Sequence, residues 1–152
     1  MRFGMYTVTK NDLGSFENKL PKYVFDNCGK KGYFTIGALD PDNNLVGVTQ
    51  FFIGMFKNGE FASYVVYIYV NEEFRGNMAA SRMLWKTHNI IRKSGIKKSL
   101  VFIGDEPEEK DFFTQNGYLF MRLEEDCISE FFDVIDDVKS SWTEQGVCWV
   151  DL

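Results

Sequence analysis

The sequence predicts an α+β domain built on a mixed sheet, and three observations carry that prediction. The longest apolar run, Tyr64-Val65-Val66-Tyr67-Ile68-Tyr69-Val70, is dense in β-branched and aromatic residues and reads as a buried strand. It is the third of three successive strand-like segments separated only by turn-forming residues. Directly after Asn71 the apolar spacing changes to a helical period, and a further short apolar run follows at Ser99–Ile103.

Taken in order, Phe3–Val8 carries β-formers, and Asn11 or Asp12 can cap a helix with apolar positions at Leu13, Phe16, Leu20 and Val24. Pro21 interrupts that pattern and predicts two short helices or one kinked helix, because proline has no N–H and clashes with the preceding turn. Tyr33–Leu39 and Leu45–Phe56 form a hairpin around Asp40-Pro41-Asp42-Asn43-Asn44, and Lys57-Asn58-Gly59-Glu60 turns the chain into the third strand, Phe61–Val70. The helix after Asn71 places Met78, Met83, Leu84, Thr87, Ile90 and Ile91 on one face and Arg82, Lys86, Arg92 and Lys93 on the other, ending near Gly95. A strand, a helix and a strand in succession imply a crossover with parallel pairing. Asp105-Glu106-Pro107 then caps a helix running to Gln115 with Gly117 past its end, Tyr118–Leu123 returns to strand character, Ile128–Val138 is helical, and Gly146–Leu152 closes as a strand.

Composition narrows the functional classes. With 152 residues, 45% hydrophobic and 16% aromatic, the expectation is one domain over 1–152 with one core. No apolar run is long enough to span a bilayer, and the N-terminus has no secretory-signal pattern, so cytoplasm is the expected location. Cys28, Cys127 and Cys148 are widely spaced and His88 is the lone histidine, which argues against structural zinc and for buried thiols, and no metal site is expected. Charge is uneven: residues 1–103 carry 14 Lys+Arg against 8 Asp+Glu, whereas 104–152 carry 3 against 14. The overall net charge of −5 argues against nucleic acid as a partner. The acidic segment 104–152 serves either as a solvated face or as an attractant for cations.

The most informative segment is Val70-Asn71-Glu72-Glu73-Phe74-Arg75-Gly76-Asn77-Met78-Ala79-Ala80-Ser81, where a buried strand ends, a short loop turns, and a helix starts on small residues. The first amides of a helix lack carbonyl partners and share the positive end of the helix dipole, so such a junction suits an anion such as a pyrophosphate. This segment resembles the coenzyme A loop of the GNAT superfamily of N-acetyltransferases, whose pattern is Gln or Arg, two residues, Gly, one residue, then Gly or Ala. Arg75 and Ala80 fit its ends, and Met78 stands where the central glycine is usual. The order of elements resembles the family over about residues 1–123, while 127–145 departs from it, since the family usually joins its last two strands by a hairpin. An inserted helix there can cover the acceptor side or form an oligomer contact, with a homodimer left open.

The resemblance implies acetyl-CoA as acyl donor and an amine, small-molecule or peptidic, as acceptor, with no membrane partner. Backbone amides of Arg75, Gly76, Asn77, Met78, Ala79, Ala80 and Ser81 would hold the pyrophosphate, and the backbone of Ile68, Tyr69 and Val70 would bind pantetheine and thioester in an opening between the strand ending at Val70 and the strand 99–103. Arg82 and Lys86 either assist phosphate binding or serve solubility. The family's tyrosine acid aligns with Phe113, its asparagine with about Glu106, and its glutamate base with Tyr64, so none of the three familiar side chains is present. Tyr118, Glu106 and Tyr67 are the candidate catalytic substitutes. Two readings follow: an N-acetyltransferase whose acceptor is cationic, as the acidic segment after residue 103 suggests, or an inactive acyl-CoA-binding or protein-interaction domain of the same fold, which Phe113 and Met78 favour.

Overall fold

The computed structural model describes residues 4–55, 60–76, 78–103, 107–122 and 146–152. Its architecture is mixed α+β, and the chain gathers into two compact units, Met1–Phe52 with Val65–Lys93 and Ile53–Tyr64 with Ser94–Leu152.

The first unit holds β1 (Gly4–Thr7), a 3₁₀ turn (Asp12–Phe16), α1 (Lys22–Asn27), β2 (Tyr33–Leu39), most of β3 (Leu45–Met55), the second half of β4 (Phe61–Val70), a second 3₁₀ turn (Glu72–Phe74) and α2 (Ala79–Lys93). Its strands run in the order β1-β2-β3-β4. β1 pairs antiparallel with β2 from Gly4↔Leu39 to Thr7↔Ile36, and β2 with β3 from Tyr33↔Phe52 to Ala38↔Gly47. The Asn71 amide donates to the Val46 carbonyl at 2.8 Å, which sets the end of β4 against the start of β3, as in a meander. The expected turn between β2 and β3 is present: Asp40 Oδ1 accepts from the amides of Asp42 (2.9 Å) and Asn44 (2.8 Å), and Asn43 takes φ +64°. The expected turn at 57–60 lies outside the described residues except for Glu60.

Pro21 divides the N-terminal helical segment as expected, standing at the N-cap of α1 with ψ 147°. The capping differs from the sequence reading. Asn11 makes no side-chain cap, and Asp12 reaches backwards instead, its Oδ2 accepting from Thr9 N (2.8 Å) and Thr9 Oγ1 (3.0 Å). Leu13, Phe16, Leu20 and Val24 are all buried and form one core cluster with Val8, Cys28 and Val48. A second cluster joins Ala38, Val46, Val70, Ala79 and Met83. A bulge separates them: Ala38 faces Gly47 but Leu39 faces Leu45, so Val46 is the extra residue. Leu45 and Val48 therefore pack with the N-terminal turns while Val46 packs with α2. On α2 the buried residues are Ala79, Met83, Leu84, Thr87, His88 and Ile91. Each buried Met, Leu or Ile side chain there contributes about 1.5–3 kcal/mol. Two expected core residues are displaced: Ile90 is 36% exposed at the edge of the stripe, and Met78 precedes the helix and is 59% exposed.

The second unit holds the start of β4, β5 (Lys98–Ile103), α3 (Pro107–Gln115), β6 (Leu119–Arg122) and β7 (Gly146–Asp151), with strand order β4-β5-β7-β6. The crossover expected from the sequence is present, since β4 and β5 are parallel in register at Ser63↔Ser99 and Tyr64↔Leu100. β7 pairs antiparallel with β5 from Lys98↔Asp151 to Ile103↔Gly146 and with β6 from Leu119↔Trp149 to Arg122↔Gly146, so the last strand inserts between its two neighbours. α3 opens on Pro107 with Glu108 and Glu109 in its first turn, where carboxylates complement the helix dipole. It closes on Gly117 at φ +91°, with Tyr118 N donating to Phe113 O (3.1 Å) and Gly117 N to Thr114 O (3.2 Å). The helix expected at 128–138 lies outside the described residues.

Candidate functional site

The loop that leaves β4 is built by backbone hydrogen bonds. Phe74 N donates to Asn71 O (2.9 Å) and Arg75 N to Glu72 O (3.2 Å), winding the Glu72–Phe74 turn; Ala79 N then donates to Gly76 O (3.1 Å) and Arg82 N to Met78 O (2.8 Å), starting α2. Gly76 at φ +98° and Met78 at φ +59° both occupy the left-handed region. The central position of the Arg-x-x-Gly-like motif therefore has a backbone that favours glycine, yet it carries a methionine, at a local cost of about 1–2 kcal/mol. A Cβ built on Gly76 would meet no atom of the described residues beyond its chain neighbours within 4 Å, so the loop is open to them on that side.

Of the amides expected to face an anion, those of Arg75 and Ala79 are engaged within the loop, and Asn77 lies outside the described residues. The amides of Gly76, Met78, Ala80 and Ser81 remain the candidates, on small or exposed residues. Ile68 and Tyr69 are half-buried and Val70 is buried at the end of the same strand. Arg82 and Lys86, one turn apart on α2, are half-buried rather than fully solvated. These features fit a pyrophosphate-bearing cofactor: open space, two left-handed residues and a fifteen-residue helix starting directly behind them.

Sequence reasoning missed how the loop is anchored. Arg75 Nε donates to the Val70 carbonyl (2.9 Å), with its guanidinium over the Tyr69 ring (5.6 Å to the centroid). Lys19 Nζ donates to Asn71 Oδ1 at 3.3 Å, a pairing 52 residues apart that no local pattern signals.

The three catalytic candidates are placed as follows. Tyr67 is half-buried on β4 in the first unit, its ring edge-on to Tyr23 at 6.2 Å. Tyr118, in the second unit, is only 2% exposed; its hydroxyl shares a 2.8 Å hydrogen bond with Ser99 Oγ and its ring packs edge-on against Phe113 at 5.1 Å. Glu106 lies outside the described residues. Phe113, which the resemblance aligns with the family's tyrosine acid, is a core residue of the α3 cap, because its contact with Tyr118 is the apolar partner of the two capping hydrogen bonds. His88 is packed into the first unit, where burial, and then the Arg92 charge, lower its pKa from 6.5 to about 4. Cys28 is buried, its thiol directed at the Val8 carbonyl at 3.6 Å. Among the described residues there is no group of three or more His, Cys, Asp or Glu suited to a metal ion, and no helix long and apolar enough to cross a membrane.

Residues 4–118 match the model of the acetyltransferase (GNAT) family. The chain belongs to that family. GNAT enzymes transfer an acyl group from an acyl-CoA to an amine, so acyl-CoA use is the general chemistry of this fold. Among solved GNAT-type structures, the chain is similar to the PaiA N-acetyltransferase of Thermoplasma acidophilum in complex with coenzyme A, at 11% identity, with 100% of both chains covered and a TM-score of 0.65. It is also similar to the ribosomal-protein-alanine N-acetyltransferase of Brucella melitensis biovar Abortus 2308, at 20% identity over 75% of this chain and 89% of that one, with a TM-score of 0.62. A third is the aminoglycoside acetyltransferase meta-AAC0020 from an uncultured soil metagenomic sample in complex with sisomicin, at 14% identity over 75% and 86% of the two chains, with a TM-score of 0.59. No curated protein matches the chain. At these identities the likeness shows the fold, and the acceptors of these GNAT enzymes differ from one another.

Proposed function

We propose that the chain is an N-acetyltransferase that uses acetyl-CoA and a cationic amine. The observation that carries this reading is the β4–loop–α2 junction, with Gly76 and Met78 left-handed at the start of a long helix. The amides of Gly76, Met78, Ala80 and Ser81 hold the pyrophosphate, with Arg82 and Lys86 adding positive potential, and the backbone of Ile68–Val70 orients the pantetheine. The bound donor supplies an activated thioester. An unprotonated amine forms the new C–N bond as the C–S bond breaks, and the amine's proton leaves while the sulfur gains one. Of the three candidates, Tyr67 is the best proton donor, being half-buried and on the strand that orients the pantetheine. Tyr118 is almost fully buried, with its hydroxyl hydrogen-bonded to Ser99 Oγ. Glu106 is the candidate acceptor of the amine's proton through water. The exposed Glu108, Glu109 and Asp111 on α3 support a cationic acceptor by concentrating cations, an effect that salt screens.

Calorimetric titration with coenzyme A, followed by release of free thiol from acetyl-CoA across polyamines, aminoglycosides, basic peptides and neutral amines, tests the reading. It predicts micromolar-range binding and turnover that favours cationic amines, rises with pH and shows a Michaelis constant that rises with salt. Absence of coenzyme A binding sinks it. Binding without thiol release would favour the second reading, an inactive acyl-CoA-binding domain, which Phe113 supports by filling the acid position with a packed ring that has no proton to give.

A further inference from the structure

A guanidinium beside a pyrophosphate site is by default read as a phosphate ligand. The contacts of Arg75 run the other way. Its Nε–H donates to the Val70 carbonyl five residues back (2.9 Å), and its guanidinium lies over Tyr69 (5.6 Å). Tyr69 is itself set edge-on against Phe16 at 5.4 Å. Asn71, next to Val70, is held from two sides: its amide donates to Val46 O (2.8 Å) and its side chain accepts from Lys19 Nζ (3.3 Å). The segment Val70–Arg75 is thus closed on itself, and its base is fixed to β3 and to the N-terminal turns.

We infer that Arg75 is a positioning residue of the coenzyme A loop, acting through Val70 and Tyr69 and not through a charge on the phosphates. It sets the angle at which the loop leaves β4 and so the direction in which the amides of Gly76, Met78, Ala80 and Ser81 point. A planar guanidinium can donate in its plane while presenting its face to a ring, whereas an ammonium is a point donor and cannot do both. This inference rests on the reading of the loop as a coenzyme A site.

The test compares the wild type with Arg75→Met and Arg75→Lys. Coenzyme A affinity is measured by calorimetry at low and at high salt, and amide hydrogen exchange over residues 71–76 is measured in the free protein. Loss of one charge-assisted hydrogen bond to a carbonyl predicts about tenfold weaker binding in both variants. The factor should be the same at low and high salt, with faster exchange confined to 71–76. Wild-type affinity in Arg75→Lys, or a loss in Arg75→Met seen only at low salt, would show a charge acting on phosphate and overturn the inference. Unchanged exchange over 71–76 in both variants would also overturn it. If the wild type does not bind coenzyme A, the functional reading fails, and the exchange measurement alone decides whether Arg75 orders the loop.

Discussion

Met78 holds φ +59° two residues after Gly76 at φ +98°, so the approach to α2 contains two left-handed positions and only one of them is a glycine. Met78→Gly removes a strain of about 1–2 kcal/mol and adds about 0.4–1 kcal/mol of unfolded-chain entropy, leaving a net gain of about 0–1.6 kcal/mol. Coenzyme A affinity should rise or hold, read by calorimetry alongside a urea titration. At Gly76 the reverse substitution is informative. Among the described residues no atom beyond its chain neighbours obstructs a Cβ there, so the cost of Gly76→Val is one of dihedral angle. The expected result is a loop that reorients and binds coenzyme A at least about tenfold more weakly, with a drop in stability of about 1–2 kcal/mol. Unaltered binding in Gly76→Val would remove this loop from the site.

Gly47 lies beneath Met83. A Cβ at this position would stand 2.6 Å from Met83 Sδ and 2.8 Å from the Tyr69 carbonyl oxygen. The sulfur is at the end of a flexible side chain and can move, but the carbonyl belongs to β4 and cannot move without shifting the strand. Gly47→Ala should therefore destabilise by about 1–3 kcal/mol, and truncating Met83 in the same chain should not restore stability. Denaturant midpoints of the single and double variants check this. Full rescue by the Met83 change would show that the sulfur contact alone limits the site.

Thr49 and Gln50 are adjacent, fully buried and differently satisfied. Gln50 Nε2 donates to Val24 O (2.8 Å) and Thr35 Oγ1 (3.0 Å), tying α1 to the sheet, although its Oε1, like Thr49 Oγ1, has no hydrogen-bond partner among the described residues; Thr49 makes no side-chain bond to offset its buried hydroxyl. Opposite signs follow. Thr49→Val keeps the shape and removes an unpaired hydroxyl, which predicts stabilisation of up to about 1 kcal/mol, while Gln50→Ala strands the Val24 carbonyl and opens a cavity, at about 2–4 kcal/mol. Thermal melts of the two variants should move in opposite directions, and a destabilised Thr49→Val would mean that the hydroxyl is satisfied.

His88 makes the protein sensitive to acid. Its folded pKa of about 4 lies below the ordinary 6.5, so between those values the unfolded chain binds the extra proton and the folded one does not. Stability is therefore full above about pH 6.5 and declines as pH falls towards 4. From pH 7 to about pH 4.5 this one group removes about 2 kcal/mol. His88→Gln should flatten that part of the pH profile relative to the wild type when denaturant midpoints are compared at matched pH. Parallel profiles would assign the acid loss to carboxylates instead.

Periodicity and turn chemistry determined much of this protein without reference to tertiary structure. The strand at 61–70, the turn at Asp40–Asn44, the break at Pro21, the parallel crossover into 98–103 and the glycine cap at 117 all follow from local dihedral preferences and from alternation of apolar residues, which act over a few neighbouring residues. The strand end, loop and helix start around residues 75–81, on which the proposed anion site rests, were legible for the same reason, since a strand end followed by small residues and a helix is a local pattern. Tertiary structure alone decided the rest. It inserted β7 between β5 and β6, placed a bulge at Val46, turned Asp12 back onto Thr9, and directed Ile90 towards solvent although its spacing suits the core. It also gave Phe113 a packing partner in Tyr118, engaged the Tyr118 hydroxyl with Ser99, and folded Arg75 onto Val70 and Tyr69. These contacts depend on which distant groups meet, such as Lys19 with Asn71. Hydrogen bonds and ring packing across such separations have no signature in spacing, because their energies are set by three-dimensional proximity and not by position along the chain.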